Sequence, residues 1–172
     1  MSIRLETAKK SESDAKLVME WRNDPETLRM SYHSTPKKWD SFYQEYCEEY
    51  FRDTELFPVF ALLEDERISF LKFNKYGDHD FKGNTAEIGI NLCPQKRGMH
   101  LGTAIIKAGA QYLFNKGYAT IVAEIKQINI ASIRTFEKAG FVHLDSMQKK
   151  VVDSGEVFPI HRYILHHTQG QR

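Results

Sequence analysis

The 172-residue chain predicts an α/β (α+β) domain built around one mixed sheet. Three observations lead there. Strand-like and helix-like segments alternate through the second half of the chain. Two β-rich runs in the first half are joined by a short acidic turn. A third apolar run passes through a glycine-containing loop straight into an amphipathic helix.

The elements follow in order. Ile3 to Thr7 reads as a first strand. Ser11 to Asn23 reads as a helix, with Ser11 as its cap and Asp14 at the capping-box position. Its apolar residues Ala15, Val18, Met19 and Trp21 recur at helical spacing. Asp24-Pro25 stops it. Pro36 to Phe51 is a second helix, whose Trp39, Phe42, Tyr43, Tyr46 and Tyr50 belong to a core rather than a binding platform. Phe57 to Leu63 and Ile68 to Lys75 form a strand pair around Glu64-Asp65-Glu66. After a polar loop, Tyr76 to Gly83, a strand covers Ala86 to Leu92. A helix (Leu101 to Asn115), a strand (Ala119 to Ile125), a helix (Ile130 to Lys138) and closing strands near Phe141 to Val152 and Val157 to Leu165 complete the pattern. Gly117 and Gly140 stand at helix C-cap positions. The total is about seven strands and about four helices in a single domain, 1–166, with a flexible tail over 167–172.

Bulk composition excludes several classes. Lys and Arg number 24 against 23 Asp and Glu, a net charge of +1, so no global field favours nucleic acid or an anionic membrane. Cys47 and Cys93 have neither metal nor redox spacing, which fits a reducing compartment. The start Met1-Ser2-Ile3-Arg4-Leu5-Glu6 lacks an apolar signal core, and no apolar run approaches membrane-spanning length. These features predict a soluble, cytoplasmic protein. His143, His161, His166 and His167 lack metal-ligand spacing in sequence, so no metal is expected.

The segment Gln95-Lys96-Arg97-Gly98-Met99-His100-Leu101-Gly102-Thr103-Ala104 carries the most chemistry. A strand, a short loop and a helix start direct several unpaired backbone N–H groups toward one spot, and the helix dipole adds positive potential. That is a seat for phosphate oxygens. Lys96 and Arg97 add full charges, and Gly98 and Gly102 let the main chain come close. Gly-Lys-Ser/Thr is absent after the loop, so a P-loop NTPase is disfavoured.

Arg97-Gly98-Met99-His100-Leu101-Gly102 resembles the Gln/Arg-x-x-Gly-x-Gly/Ala signature of the GNAT N-acetyltransferases, with His100 in place of the first signature glycine. Asn129-Ile130-Ala131-Ser132-Ile133-Arg134-Thr135-Phe136-Glu137-Lys138-Ala139-Gly140-Phe141 resembles the family's Asn-x-x-Ser-x-x-x-Tyr-Glu-Lys-x-Gly-Phe element. The two blocks stand in the family's order and separation. The resemblance implies the GNAT fold, with a V-shaped cleft between the fourth and fifth strands, and acetyl-CoA as co-substrate. It implies that the main chain of Arg97, Gly98, Met99, His100, Leu101, Gly102 and Thr103 cradles the pyrophosphate. Ile90, Asn91 and Leu92 would pair with the pantetheine arm and offer an N–H to the thioester oxygen, Asn91 being assigned to catalysis. Asn129 and Ser132, with Arg134 nearby, would hold the same arm, and Asn129 is also a favoured helix cap. Many relatives carry a tyrosine acid where this chain has Phe136.

An ammonium of pKa about 10.4 is neutral in only about one molecule in a few thousand at pH 7, so acetyl transfer to an amine needs a base. Glu87, at the start of the cofactor strand, is the candidate. Glu124 is a carboxylate inside the apolar strand Val122-Ala123-Glu124-Ile125, and it needs a cleft, a partner or water. It is assigned to the acceptor side with Arg22, Arg29, Tyr32 and His33, which flank the Trp21-Arg22-Asn23-Asp24-Pro25 block. That block resembles enzymes acting on amino-sugar nucleotides or other small amines, and also relatives that acetylate protein N-termini. The expected activity is direct acetyl transfer to a primary amine in a ternary complex. The acceptor is a small polar molecule such as an amino-sugar nucleotide, or alternatively a peptide N-terminus. A non-catalytic coenzyme A-binding module is the competing class. A homodimer is compatible with every one of these features.

Overall fold

The computed structural model describes residues 2–77, 81, 84–152 and 154–168. Seven strands make one sheet: β1 (Arg4–Thr7), β2 (Val59–Leu63), β3 (Glu66–Lys75), β4 (Thr85–Leu92), β5 (Thr120–Lys126), β6 (Val142–Lys150) and β7 (Val157–His166). Their spatial order is β1-β2-β3-β4-β5-β7-β6. Every neighbour is antiparallel except β4 and β5.

β4 pairs with β3 from Ala86 to Leu92, and β5 pairs with β7 along its whole length. Between themselves β4 and β5 pair only at Thr85, Ala86 and Glu87, opposite Thr120, Ile121 and Val122. Beyond Glu87 the two strands diverge into the V-shaped cleft that the resemblance implied.

The helices are α1 (Glu12–Arg22), α2 (Pro25–Met30), α3 (Trp39–Glu48), α4 (Gly102–Asn115) and α5 (Ile130–Lys138). Among the described residues there are five rather than four, because α2 falls in what the sequence presents as a connection. Its signals are Asp24, whose Oδ2 accepts from the N–H of Thr27 at 3.1 Å, and Pro25 in the first turn. Ser11 caps α1 as expected, accepting from the N–H of Asp14 at 3.2 Å. Asp14 does not close a capping box. Its carboxylate instead accepts from the N–H of Lys9 and from Arg67, tying α1 to β3.

Strand alternation divides the apolar residues between two faces. On one face Trp21, Phe42, Tyr46 and Tyr50 from α1, α3 and the turn after it bury against Phe60 and Phe70. On the other face α4 and α5 cover Leu71, Phe73, Ile88, Ile121 and Ile125. The aromatics of α3 are therefore core, with Phe42 and Tyr46 almost wholly buried.

Gly89 sits in register with Lys72, with no bulge, and an added Cβ would meet only the Lys72 carbonyl at 3.8 Å. It leaves open space on the α1/α3 face. The irregularities lie elsewhere, at Ala61/Leu62 and between His143 and Asp145. Gly117 and Gly140 do follow α4 and α5 with positive φ. Residues 78–80 and 82–83 of the polar loop, and 169–172 of the expected tail, lie outside the described residues. Among the described residues no helix is long and apolar enough to cross a membrane, and Cys47 and Cys93 are free.

Candidate active site

The mouth of the V is a cavity of about 510 Å³. It is floored by Ile90, Asn91 and Leu92 of β4 and closed by the loop 96–102, by Asn129, Ser132 and Thr135 of the α5 region, and by Glu26, Thr27 and Met30 of α2.

One wall is the N-terminus of α4. Its cap residue is Leu101, which offers no side-chain acceptor, and its first turn holds no acidic residue. The first N–H groups of the helix thus have no side-chain cap, and the dipole potential there is uncompensated. The loop delivers the chain to this point through left-handed residues, Gly98 at φ 72° and His100 at φ 57°. A glycine adopts that conformation freely, whereas a non-glycine residue pays about 1 kcal/mol, with His among the more tolerant types. His100 therefore keeps the backbone path that the signature glycine would supply, at a modest strain.

Gly102 is required for a different reason. A Cβ on it would stand 2.7 Å from Cγ2 of Thr135, so α4 and α5 approach over a bare backbone.

The full charges expected at the phosphate seat are already engaged. Arg97 donates to Asp24 Oδ2 at 2.6 Å and to Thr27 Oγ1 at 2.7 Å, and Lys96 pairs with Glu66 at 2.7 Å. Hydrogen bonding from Arg97 holds the Asp24 carboxyl below its ordinary range against the opposing effect of burial. Arg97 thus straps α2 to the loop. Met99 is exposed, and neither it nor Thr103 lines the cavity.

The antiparallel ladder decides which β4 amides face the cleft. Tyr76 N–H bonds the Thr85 carbonyl and Cys93 N–H bonds the Ile68 carbonyl, so odd-numbered β4 residues direct their main chain to β3. Ile90 and Leu92 therefore point their N–H groups to the splayed side, where β5 no longer pairs. The N–H of Asn91, the expected donor, faces β3 instead. Asn91 keeps only a place on the cavity wall.

Asn129 caps α5 through Oδ1, which accepts from Ser132 N–H at 3.2 Å, and both residues line the cavity. Arg134 is exposed and does not line it, whereas Thr135 does. Phe136 is buried and packs edge-on to Phe141 at 5.0 Å.

On the α1/α3 face, strand alternation sets Glu87, Gly89 and Asn91 of β4 beside Glu124 of β5. Burial, and then the charge of Glu124, push the Glu87 carboxyl up to about 7, with Lys149 and Lys72 opposing. Glu124 behaves oppositely. Burial would raise it, but hydrogen bonds from Tyr32 (2.7 Å), Tyr76 (2.8 Å) and Lys149 (3.0 Å) bring it below its ordinary value. Tyr32 also lies against Phe158, ring centroids 5.4 Å apart. Neither Tyr76 nor Lys149 carried a sequence signal, because 48 and 25 residues separate them from Glu124.

The remaining acceptor candidates separate. Arg22 donates to the hydroxyl of Tyr50. Arg29 is exposed and paired with Glu26 at 2.8 Å, so it does not face the carboxylates. His33 lines another groove with Lys37, Glu45 and Glu156. His143 and His161 do meet, their ring nitrogens 3.2 Å apart and both near the Ser146 hydroxyl: His143 pairs with Tyr163, whose face His161 shares, and the register shift after His143 brings Ser146 opposite His161. Among the described residues no three His, Cys, Asp or Glu side chains converge to hold a metal ion.

Known proteins agree with this geometry. The acetyltransferase (GNAT) domain profile matches residues 3–142. Mycothiol acetyltransferase of Rhodococcus jostii (strain RHA1) is 26% identical over 130 residues, 69% of this chain and 42% of that protein. The chain thus spans less than half the length of this relative. Aminoglycoside acetyltransferase AAC(6')-Ib, solved with coenzyme A and kanamycin, superposes with a TM-score of 0.79 at 20% identity, covering 96% of this chain and 95% of that one. The yncA protein from Salmonella typhimurium, solved with acetyl-CoA, gives 0.73 at 18% identity over 100% and 98% of the two chains. At these identities the superpositions speak for the fold. With most of its length matched by the family profile, the chain belongs to the GNAT acetyltransferase family.

Proposed function

We propose that this domain transfers the acetyl group of acetyl-CoA to the primary amine of a small polar molecule, by direct transfer within a ternary complex. The observation that carries this reading is the juxtaposition at the point of strand divergence. An uncapped helix N-terminus and free main-chain donors lie along the cleft, and a carboxyl poised near neutrality stands on the adjoining face of the same strand. The uncapped amides of α4 and the left-handed turn at Gly98 and His100 fit the pyrophosphate of coenzyme A. The ligands of AAC(6')-Ib and yncA support the same assignment.

The co-substrate supplies an acetyl group already activated as a thioester. The chain supplies the rest. Glu87, ionised above about pH 7, accepts the ammonium proton on its carboxylate, directly or through water. Ile90 and Leu92 N–H groups face the position where the carbonyl oxygen gains charge. Asn129, with its Oδ1 used as a cap, keeps its amide donor for the pantetheine arm. Phe136 offers no proton, so the thiolate, with a pKa near 8.5 if cysteine-like, leaves without an acid from this position.

A small amine such as an amino-sugar nucleotide is the acceptor we favour over a peptide N-terminus. The resemblance of the Trp21 to Pro25 block and the acetyltransferases of small molecules among the relatives support it. Titration calorimetry with acetyl-CoA, followed by thiol-release assays against amino-sugar nucleotides and N-terminal peptides, tests the proposal. Micromolar binding, about −8 kcal/mol, with transfer to the sugar amine is the expected result. Binding without transfer to any amine would favour the coenzyme A-binding module instead.

A further inference from the structure

On the acceptor face two cations are held in close carboxylate pairs and others are not. Lys149 meets Glu124 at 3.0 Å and Arg162 meets Asp145 at 2.5 Å. Arg22 and Lys72 meet no carboxylate among the described residues. Both instead converge on one aromatic ring: Arg22 donates to the Tyr50 hydroxyl, and Lys72 Nζ lies 4.2 Å from the ring centroid. Tyr50 is itself buried in the core, so it fixes both cations in place.

Register locates this pair relative to the chemistry. Lys72 is paired with Gly89, and Asn74 with Glu87, so Lys72 and Glu87 occupy the same face at diagonal positions on adjacent strands. Diagonal neighbours are about 7–8 Å apart. Between them Gly89 contributes no side chain, and the space above it is open. This face of the sheet thus carries Lys72, with Arg22 beside it on Tyr50, then the base Glu87 and the hydrogen-bonded carboxylate Glu124; Lys72 and Tyr50 line a groove distinct from the cofactor cavity.

Two half-buried cations sharing one phenol repel each other and lose hydration, and Lys72 is offset only by the more distant charges of Glu45, Glu87 and Glu49. Burial, and then the neighbouring Arg22 charge, lower the Lys72 ammonium below its ordinary value. A bound anion would relieve both penalties.

Building on the acetyltransferase reading, we infer that the acceptor carries an acidic group, carboxylate or phosphate, which Arg22 and Lys72 seat over Gly89 while its amine reaches Glu87. Lys72 then becomes a specificity-determining residue that no sequence motif marks. Purely cationic or neutral amines lose the contact that orients them.

The test has a binding arm and a kinetic arm. In the first, NMR of the full chain with labelled Lys and Arg side chains follows titration with acetate and, separately, inorganic phosphate. Saturable shifts at Lys72 and Arg22 are expected with at least one anion, and the preferred anion identifies the acidic group. In the second, acetyl transfer is compared within matched pairs, glycine against glycinamide and glucosamine 6-phosphate against glucosamine. The acidic member of one pair should be favoured at least tenfold in kcat/KM. Lys72→Gln and Arg22→Gln should each cut that preference several-fold, mainly through KM.

Saturation by neither anion, or equal use of acidic and neutral partners, overturns the inference while leaving acetyl transfer intact. Saturable binding with no transfer to any amine keeps the anion seat and instead removes the acetyltransferase reading.

Discussion

Replacing Glu87 by Gln tests the assignment of the base through two independent quantities. An ordinary glutamate has a pKa near 4.5, whereas burial and the Glu124 charge lift Glu87 to about 7. The folded state therefore holds this proton more tightly than the unfolded chain. Its contribution to stability is complete below about pH 4.5 and is lost as the pH rises through about 7. The difference of about 2.5 units corresponds to at most roughly 3 kcal/mol at pH 8. Glu87→Gln cannot ionise and escapes that loss, so its stability relative to the parent should rise between pH 5 and 8. Activity should move the opposite way. The parent's kcat/KM should rise with an inflexion near 7, superimposed on ionisation of the amine. Glu87→Gln should lose the inflexion and fall about 10²-fold at pH 8, a general-base-sized effect. Denaturant unfolding at several pH values and a pH–rate profile with acetyl-CoA measure both. A parent profile without an inflexion between pH 6 and 8, or one that survives the substitution, would refute the reasoning.

The backbone assignment separates Ile90 from Asn91. Ile90→Pro removes an N–H facing the cleft and should lower kcat about 10²-fold with the fold kept, whereas Asn91→Pro breaks the β3 ladder and should show first as a lower Tm. His100→Gly releases a left-handed non-glycine residue and should raise stability by about 1 kcal/mol with acetyl-CoA affinity retained; calorimetry and thermal unfolding check both. Gly102→Ala should destabilise by about 1–3 kcal/mol through the Thr135 methyl. Thr135→Ser removes that methyl and should restore the double variant in the same unfolding assay. Arg97→Ala releases Asp24 and Thr27, so acetyl-CoA should bind several-fold more weakly because α2 no longer closes the cavity.

The sequence made the strands, the four longer helices and the cofactor loop legible because their signals are local. A cap such as Ser11, a glycine beyond a helix end such as Gly140 and an apolar run such as Ala86 to Leu92 each act over a few residues. The short α2 was missed although Asp24 and Pro25 mark its start, since a six-residue helix has too little periodicity to see. Roles of side chains were legible only where a motif fixes backbone and side chain together, as at Asn129. The ion pair of Arg97 was hidden because nothing near it in sequence reveals Asp24, 73 residues away. The partners of Glu124 are hidden in the same way. The direction of the Asn91 amide was hidden for a subtler reason. Alternation fixes which amides face the cleft only once the register with β3 is known, and register is a tertiary property.

That register also explains how one face of the sheet holds two carboxylates in different states. Glu87 and Glu124 lie on adjoining strands just where β4 and β5 part, so neither can be displaced from the other's field. Tyr32, Tyr76 and Lys149 all converge on Glu124. These donors stabilise its charge, and that retained charge in turn helps push Glu87 upward. The pair is thus divided by environment, Glu124 shifted toward its charged form and Glu87 toward its neutral one, the kind of separation on which the proposed base role of Glu87 rests. Glu124→Gln should therefore act on the chemistry without touching the base. With the neighbouring negative charge gone, the inflexion in kcat/KM should move below about 7, while Glu124→Asp should move it less. An inflexion unmoved by Glu124→Gln would mean that burial alone sets Glu87, and that Glu124 serves only to anchor Tyr32, Tyr76 and Lys149 around the acceptor.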